Sequence, residues 1–167
     1  MTTNLERAAT VSRNVQIQSV TLAGANLQTN VDPLAVPEEL ELTQEYRSTV
    51  DVKETRPDHL YVTVDFKFTA EEGSEESPGA NAIELEASYL VVYALKNASE
   101  YAEDALEHFA WLNGAYNAWP YWRELVQTVS GRVGIASVVV PVFRPPIRDL
   151  SEEEEQQLRL AVEDAPE

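Results

Sequence analysis

Four segments of this chain alternate apolar and polar residues with the two-residue period of a β-strand. The third segment is the clearest, because apolar side chains fill its even positions. These residues are Leu60, Val62, Val64, Phe66 and Phe68. The pattern predicts strands over residues 13–27, 40–53, 60–69 and 82–95. In the first three, one face is expected to meet a core and the other to meet water.

The first predicted strand changes face along its length. Val15 and Ile17 lie on one parity, whereas Val20 and Leu22 lie on the other. An extra residue in one strand of a pair shifts the parity in this way. We therefore predict a β-bulge near Ser19. Residues 30–37 then read as a loop long enough to cross over another element.

The fourth predicted strand changes character instead. It begins with Glu84 and Glu86 alternating with apolar residues, and from Tyr89 onward it is apolar on both faces. A strand that is buried on both sides needs a second layer of the same chain or another subunit. The sequence therefore predicts that this part of the sheet is covered twice.

Helical spacing follows the strands. Residues 101–112 place their apolar side chains on one stripe, which Gly114 interrupts. A second helix is predicted from Asn117, a possible N-cap, with Pro120 in its first turn, where the missing N–H is tolerated. Gly131 and Gly134 end this helix.

The last part of the chain is predicted to return and then form a final helix. Residues 135–143 are β-branched and expected to be extended up to a Pro-Pro pair. Ser151 and Glu154 then form a capping box. We expect a flexible leader over residues 1–12, a single domain over 13–163 and an acidic tail over 164–167.

Composition restricts the function. The chain has 167 residues and no cysteine, and its charge is 12 − 29 = −17. These values exclude a thiolate nucleophile and argue against binding to nucleic acid or to an anionic membrane. Neither a secretory leader nor a membrane-spanning stretch is visible, so we expect a cytoplasmic protein without direct membrane insertion. Basic surfaces or unfolded cationic chains are the expected partners.

Catalytic and metal-binding motifs are absent from the sequence. His59 and His108 are far apart, which makes a histidine-based metal site unexpected. The carboxylates occur in runs and on polar strand faces, as solvated residues do, rather than as an acid/base pair. We therefore predict a protein that is not an enzyme and that needs no cofactor.

Aromatic residues are concentrated in one stretch, residues 109–122. Trp119 and Trp122 are three residues apart and share a helix face, while Tyr121 points away. Each ring either belongs to the core or lines an apolar groove, where rigid aromatic side chains supply contact area at low entropic cost. The sequence leaves both interpretations open.

Several separated segments resemble the bacterial export chaperone family SecB. They are residues 15–20, residues 37–42 with the sequence Pro-Glu-Glu-Leu-Glu-Leu, residues 119–124 with the sequence Trp-Pro-Tyr-Trp-Arg-Glu, residues 130–132 and residues 141–143. No one of these motifs is specific, but five occur in the family's order. The resemblance covers about residues 13–160.

The resemblance implies an α+β fold in which a four-stranded antiparallel sheet packs with a long helix and a C-terminal helix. It also implies a homotetramer built as a dimer of dimers, which holds unfolded polypeptides in apolar grooves without ATP. The expected client-binding residues are Tyr46, Tyr89, Tyr93, Phe109, Trp111, Tyr116, Trp119, Trp122, Phe143 and Leu158.

The outer sheet face departs from the family at the acidic residues that dock the motor protein SecA. Glu86 matches one such position, and Glu84 lies on the same face, so these two are the candidate docking residues. Gly24 and Gln28 occupy two further positions and carry no charge. Ala35 also replaces a tryptophan that members often have ahead of the second strand.

Three classes of function follow. The first is a SecB-like holdase, which serves either unfolded preproteins during export, with or without SecA, or one dedicated antitoxin of a toxin–antitoxin system. The second is a scaffold whose aromatic surface binds one folded partner. The third, an enzyme with a hidden carboxylate site, has the least support.

Overall fold

A computed structural model describes residues 4–32, 34–36, 39–72 and 81–144 of the chain. Four strands and a nearly continuous helical segment account for most of these residues. The strands are β1 (Val15–Thr29), β2 (Leu40–Asp51), β3 (His59–Glu72) and β4 (Asn81–Leu95). The helical elements are α1 (Asn4–Ser12), a short 3₁₀ turn (Ala98–Glu100), α2 (Glu103–Phe109), a π-helical segment (Ala110–Gly114) and α3 (Ala115–Arg132).

The strands form one antiparallel sheet in the order β1-β4-β3-β2. This confirms the predicted α+β class and the four-stranded antiparallel sheet. One face of the sheet, the inner face, carries the buried odd-numbered residues of β4 and even-numbered residues of β3. The helical segment from α2 to α3 packs on this face over β2, β3 and β4. The opposite, outer face carries Glu84, Glu86 and Lys67.

Two β-bulges keep the apolar side chains of β1 on the inner face. The register with β4 shifts between Ile17 and Ser19, which confirms the predicted bulge, and again between Leu22 and Gly24. Without these extra residues the apolar set would move to the other face, because side chains alternate along a strand. As a result Ile17 and Leu22 pair with Tyr93 and Tyr89 of the inner face.

The first residues differ from the predicted flexible leader. Residues 4–12 form α1, which packs against α2. Ala8 and Val11 are buried there, three residues apart on one helix face. Burial of these small apolar side chains favours a docked helix, although the segment as a whole is polar enough to read as a leader.

The helical segment is also more continuous than predicted. Gly114 does not interrupt it, and Asn117 is not an N-cap, because the helix runs from Glu103 to Arg132 through the π-helical segment. Pro120 therefore lies inside α3 rather than in a first turn. Its ring is exposed, and it removes one helical hydrogen bond, the one that the Tyr116 carbonyl would have accepted.

Residues 136–144 form neither helix nor strand. They return along α3, and Ile135 and Val140 enter the core. We call residues 135–144 the return segment. The predicted final helix from Ser151, the end of the domain at residue 163 and the acidic tail lie outside the described residues.

Candidate functional site

The helical layer leaves apolar side chains uncovered at both edges of the inner face. At one edge, Ile17, Leu22 and Leu27 of β1 are 46%, 46% and 42% exposed, and we call these three residues the β1 strip. At the other edge, Leu42 of β2 is 48% exposed. Single exposed apolar residues are common on proteins, but rows of them on one face mark contact surfaces.

An aromatic cluster lies over the middle of β2. The half-buried ring of Tyr46 lies 5.7 Å from the ring of Phe143, 6.4 Å from that of Trp119 and 6.5 Å from that of Trp111. Phe66 of β3 completes the cluster at 6.1 Å from Tyr46. These separations fall within the range of favourable aromatic pairs. The cluster joins β2, the helical segment and the return segment.

A cavity opens at each end of this cluster. On one side, a cavity of about 640 Å³ is lined by Val50, Val52, Leu106 and Trp111, among others. On the other side, a cavity of about 400 Å³ lies between Leu40 and Leu42 of β2 and residues 135–139 of the return segment. The two cavities lie along β2 on either side of the packed rings of the aromatic cluster, and we call the two cavities together with the cluster the β2 groove. The chain that borders the two cavities, from Leu40 to Val52, is about 40 Å long, the length of roughly twelve extended residues.

The wall of the β2 groove at α2 is acidic. Glu103 and Glu107 line the larger cavity and are exposed to solvent, with His108 beside them. Apolar walls with an acidic rim favour an apolar segment that also carries positive charge.

Polar contacts to α3 hold the return segment in place. Trp119 Nε1 donates to the carbonyl oxygen of Pro141 at 2.8 Å, and Arg123 Nε donates to that of Val140 at 2.7 Å. Ser130 Oγ accepts from the backbone N–H of Val138 at 2.9 Å. These contacts fix the position of Phe143 over Tyr46 and Trp119. Arg123, which follows Trp122 in the sequence, therefore has a structural role, because its hydrogen bond orders one wall of the groove.

Three predicted client-binding residues lie in the core instead. Tyr93, Phe109 and Trp122 are at most 2% exposed. Trp122 stacks on Phe66 with ring centroids 5.0 Å apart, and Tyr93 meets Phe109 edge-on at 5.0 Å. We therefore do not keep them as client-binding residues, because their rings have no free surface within this chain.

The remaining predicted residues divide by position. Tyr46, Trp111 and Phe143 of the aromatic cluster are half-buried, whereas Trp119 is buried at 8% exposure and supports the other rings from below. Tyr116 is 63% exposed, with its ring 6.3 Å from that of Phe143. Tyr89 is buried beneath α3, where its hydroxyl donates to the carbonyl oxygen of Tyr121 at 3.1 Å. Burial raises the pKa of Tyr89 to about 12. Leu158 lies outside the described residues.

Sequence reasoning missed several residues of the β2 groove. Leu42, Val50 and Phe66 were assigned only to strand faces, and their even parity already placed them on one side of the sheet. The sequence does not reveal the order of the strands in the sheet. β2 is recognised as an edge strand only when β3 is known to pair with both β2 and β4.

The candidate docking residues on the outer face are paired. Lys67 Nζ lies 3.3 Å from Glu84 Oε1 and 3.7 Å from Glu86 Oε1. The hydrogen bond that Lys67 Nζ donates to the Glu84 carboxylate raises the pKa of Lys67, and the nearby negative charges of Glu84, Glu86 and Glu45 raise it further. Gln28 pairs with Glu84, and Gly24 pairs with Ser88. Lys67 therefore lies between two carboxylates on this part of the outer face. Gly24 and Gln28 of β1 contribute no charge to it.

Metal binding and membrane crossing find no support in the described part of the chain. No three acidic or histidine side chains there lie close enough together to hold a metal ion. None of the described helices is long and apolar enough to cross a membrane.

Comparison with known proteins identifies the fold. No protein-family model matches the chain, and no curated protein matches it in sequence. Among solved structures, the SecB-like chaperone Rv1957 of Mycobacterium tuberculosis, in complex with a ChAD peptide from the Rv1956 HigA1 antitoxin, superposes with a TM-score of 0.70 at 15% identity. The match covers 84% of this chain and 98% of that chain.

The chain has the SecB-like fold. The resemblance in the sequence motifs is thereby confirmed at the level of the fold, although identity is low. A protein of unknown function from Streptococcus agalactiae also matches, with a TM-score of 0.40, 9% identity and coverage of 76% of this chain and 96% of that chain.

Proposed function

We propose that this protein is an ATP-independent, SecB-like chaperone that binds one dedicated client segment, of the antitoxin type, in the β2 groove. The observation that carries the proposal is the pair of cavities, of about 640 Å³ and 400 Å³, that flank the aromatic cluster along β2, on a fold shared with a chaperone solved with an antitoxin peptide. The aromatic cluster supplies contact area, and the acidic rim selects against acidic clients. Catalysis is not part of this function.

The proposed protein works in the cytoplasm as a homotetramer, a dimer of dimers. The β1 strip supports an assembly, because a lone protomer leaves this apolar edge in water. Binding in the β2 groove and assembly through β1 use opposite edges of the sheet, so a client and a second subunit do not compete.

Export of unfolded preproteins would use the same groove, but it also needs a surface for SecA. Because Gly24 and Gln28 are uncharged, that surface lacks two acidic residues. Lys67 forms ion pairs with Glu84 and Glu86, the candidate docking residues. We therefore favour a dedicated client over general export.

Peptide binding tests the proposal. Fluorescent peptides that tile the antitoxins of the source organism are titrated with the protein, and fluorescence anisotropy reports affinity. A permanently unfolded chain, carboxymethylated α-lactalbumin, serves as the general client. We expect one antitoxin segment to bind at least tenfold more tightly than lactalbumin. Equal affinity for both would favour general holding, and no binding of either would reject the chaperone function.

Groove variants complete this test. Leu42→Gln removes an exposed apolar contact and should weaken peptide binding by about tenfold, the equivalent of about 1.4 kcal/mol. Thr43→Gln, on the outer face of the same strand, is the matched control and should bind like the unaltered protein. An equal effect of both variants would place the client elsewhere.

A further inference from the structure

The π-helical segment contains one of the two tryptophans whose rings face Tyr46. Trp111 lies within this segment, and Trp119 follows eight residues later in α3. Their rings lie at similar distances from the ring of Tyr46, 6.5 Å and 6.4 Å. In a regular α-helix, residues eight apart point about 80° away from each other, because each residue turns the helix by about 100°.

A π turn changes this relation between the two rings. Its hydrogen bonds join residues i and i+5, so it takes up one residue more than an α turn, and such turns are frequent at functional sites. The extra residue brings Trp111 and Trp119 toward the seven-residue spacing at which a helix returns to the same face. The winding of the π-helical segment therefore sets the direction of Trp111 relative to Trp119 and the aromatic cluster.

Two hydrogen bonds connect the end of the π-helical segment to the sheet. The hydroxyl of Tyr93 on β4 donates to the carbonyl oxygen of Asn113 at 3.3 Å, and Asn117 Nδ2 donates to the same hydroxyl at 2.8 Å. Asn113 and Asn117 are about one helical turn apart, on the two sides of the junction with α3. Because Tyr93 is only 2% exposed, water competes little for these bonds.

Gly114 brings the same junction close to the sheet. A Cβ atom there would lie 2.6 Å from Cγ1 of Val62. Val62 pairs with Val91, which shares the inner face of β4 with Tyr93. The close backbone approach and the hydrogen bonds of Tyr93 therefore occur at neighbouring positions of the sheet. Together they allow a tyrosine hydroxyl of the sheet to reach a carbonyl oxygen of the helix.

Tyr89 offers a comparison on the same strand face. Its hydroxyl donates to the carbonyl oxygen of Tyr121 at 3.1 Å, well inside α3. Tyr89 and Tyr93 thus make the same kind of bond from β4 to the helical layer. Of these two tyrosines, Tyr93 is the one that bonds to the π-helical segment. Loss of either hydroxyl removes a bond between helix and sheet, but only the loss at Tyr93 affects the π turn directly.

We propose that Tyr93 is a positioning residue, whose hydroxyl holds the π turn in place and so keeps the ring of Trp111 in the β2 groove. Without the hydroxyl, the carbonyl oxygen of Asn113 loses its partner on the sheet, and the segment rewinds toward a regular α-helix. Trp111 then turns away from the aromatic cluster, and the larger cavity that it lines changes shape. The consequence for clients rests on the proposed function, whereas the consequence for Trp111 does not.

Fluorine NMR of the full chain labelled with 5-fluorotryptophan tests the position of Trp111. The chain has three tryptophans, and single replacements by phenylalanine assign their signals. Tyr93→Phe should shift the Trp111 signal, whereas Tyr89→Phe, the matched control, should leave that signal in place. A Trp111 signal that stays unchanged in Tyr93→Phe, or that moves equally in both variants, would overturn the proposal.

A second variant changes the same hydrogen bonds while the ring of Tyr93 stays in place. Asn117→Asp replaces the donor to the hydroxyl by a carboxylate, which accepts from the hydroxyl in competition with the carbonyl oxygen of Asn113. The Trp111 signal should shift in the same direction as in Tyr93→Phe. If Asn117→Asp leaves the signal unchanged, altered packing around residue 93 explains the first result, and the role of the hydrogen bond is overturned.

Binding measurements test the consequence for clients. The probes are the tightest antitoxin segment of the tiled set and carboxymethylated α-lactalbumin. Tyr93→Phe should weaken binding by about two- to tenfold, the equivalent of one aromatic pair, and Tyr89→Phe by less than about twofold. In a Trp111→Leu background, Tyr93→Phe should have no further effect, because it acts through that ring. Additive losses would show a general stabilising role and overturn the proposal.

The two proposals fail in different ways. If the unaltered protein binds neither probe, the proposed function is rejected, and the role of Tyr93 in client binding is rejected with it. If the unaltered protein binds, and Tyr93→Phe shifts the Trp111 signal at unchanged affinity, the positioning role alone is overturned. A shifted signal together with weaker binding supports both proposals.

Discussion

Gly114 sets how closely the helical layer approaches the sheet. A Cβ atom at this position would lie 2.6 Å from Cγ1 of Val62, which is fully buried. Gly114→Ala should therefore lower the free energy of unfolding by roughly 1–3 kcal/mol, the usual cost of overpacking. Denaturant unfolding measures this change.

The matched control for this prediction lies in the same helical segment. Gly131 has open space where a Cβ would go, so Gly131→Ala should leave stability unchanged or raise it by up to about 1 kcal/mol. Adding Val62→Ala to Gly114→Ala should reduce the clash, so the double variant should lose less than the sum of the two single losses. Additive losses would contradict a direct contact.

Tyr93 makes the protein sensitive to alkali. Burial raises its pKa to about 12, partly opposed by the hydrogen bond from Asn117 Nδ2 at 2.8 Å. A raised pKa means that the folded state holds this proton more tightly than the unfolded chain. The stabilisation is complete below about pH 10 and is lost as the pH rises toward 12.

Substitution tests this pH dependence. Tyr93→Phe removes the ionisable group, so its unfolding midpoint in an alkaline titration, followed by circular dichroism, should move to higher pH. Tyr61→Phe on the outer face is the control and should unfold where the unaltered protein does. A Tyr93→Phe variant that unfolds at an unchanged pH would show that another group controls alkaline unfolding.

At the scale of elements, the return segment depends on a few side chains of α3. Arg123→Met removes the donor to Val140, and Ser130→Ala removes the acceptor for the Val138 N–H. Each change should weaken docking by roughly 1–3 kcal/mol and speed hydrogen exchange of Val138 by about fivefold or more. Thr128→Ala, which removes a hydroxyl that donates to Glu124 on the exposed side of α3, should leave exchange unchanged.

The strands show how much of the fold the two-residue periodicity predicts. All four strands follow from the alternation of apolar and polar residues within each segment, and the first bulge of β1 follows from the change of parity between Val15 and Ile17 on one side and Val20 and Leu22 on the other. The second bulge does not, because Ala23 and Gly24 carry no clear apolar or polar signal. The sequence also did not predict that the helix continues through Gly114. A glycine usually interrupts a helix, and the reason for a glycine here is the close contact with Val62 of the sheet, which the sequence does not show.

At the scale of the whole molecule, the β1 strip should control assembly. Ile17→Lys and Leu22→Lys place charges in an apolar contact and should convert a tetramer into smaller species. Native mass spectrometry measures this change. Thr21→Lys, on the outer face of the same strand, should leave the assembly intact. If all three variants stay tetrameric, the subunits meet through another surface.

The charge of −17 adds a second property at this scale. Like charges repel between subunits, and salt screens this repulsion over about 10 Å at 0.1 M. Moderate salt should therefore strengthen assembly, while it weakens binding of basic peptides.

The sequence by itself determined the strand pattern, the acidity, the aromatic stretch and the resemblance to SecB, because each depends on residue types and their spacing along the chain. Only the tertiary structure decided which rings are core, that β1 and β2 are edges, and that residues 4–12 dock as a helix. Periodicity tells which side chains share a face. Whether that face is covered depends on contacts between residues far apart in the chain, such as Trp122 with Phe66.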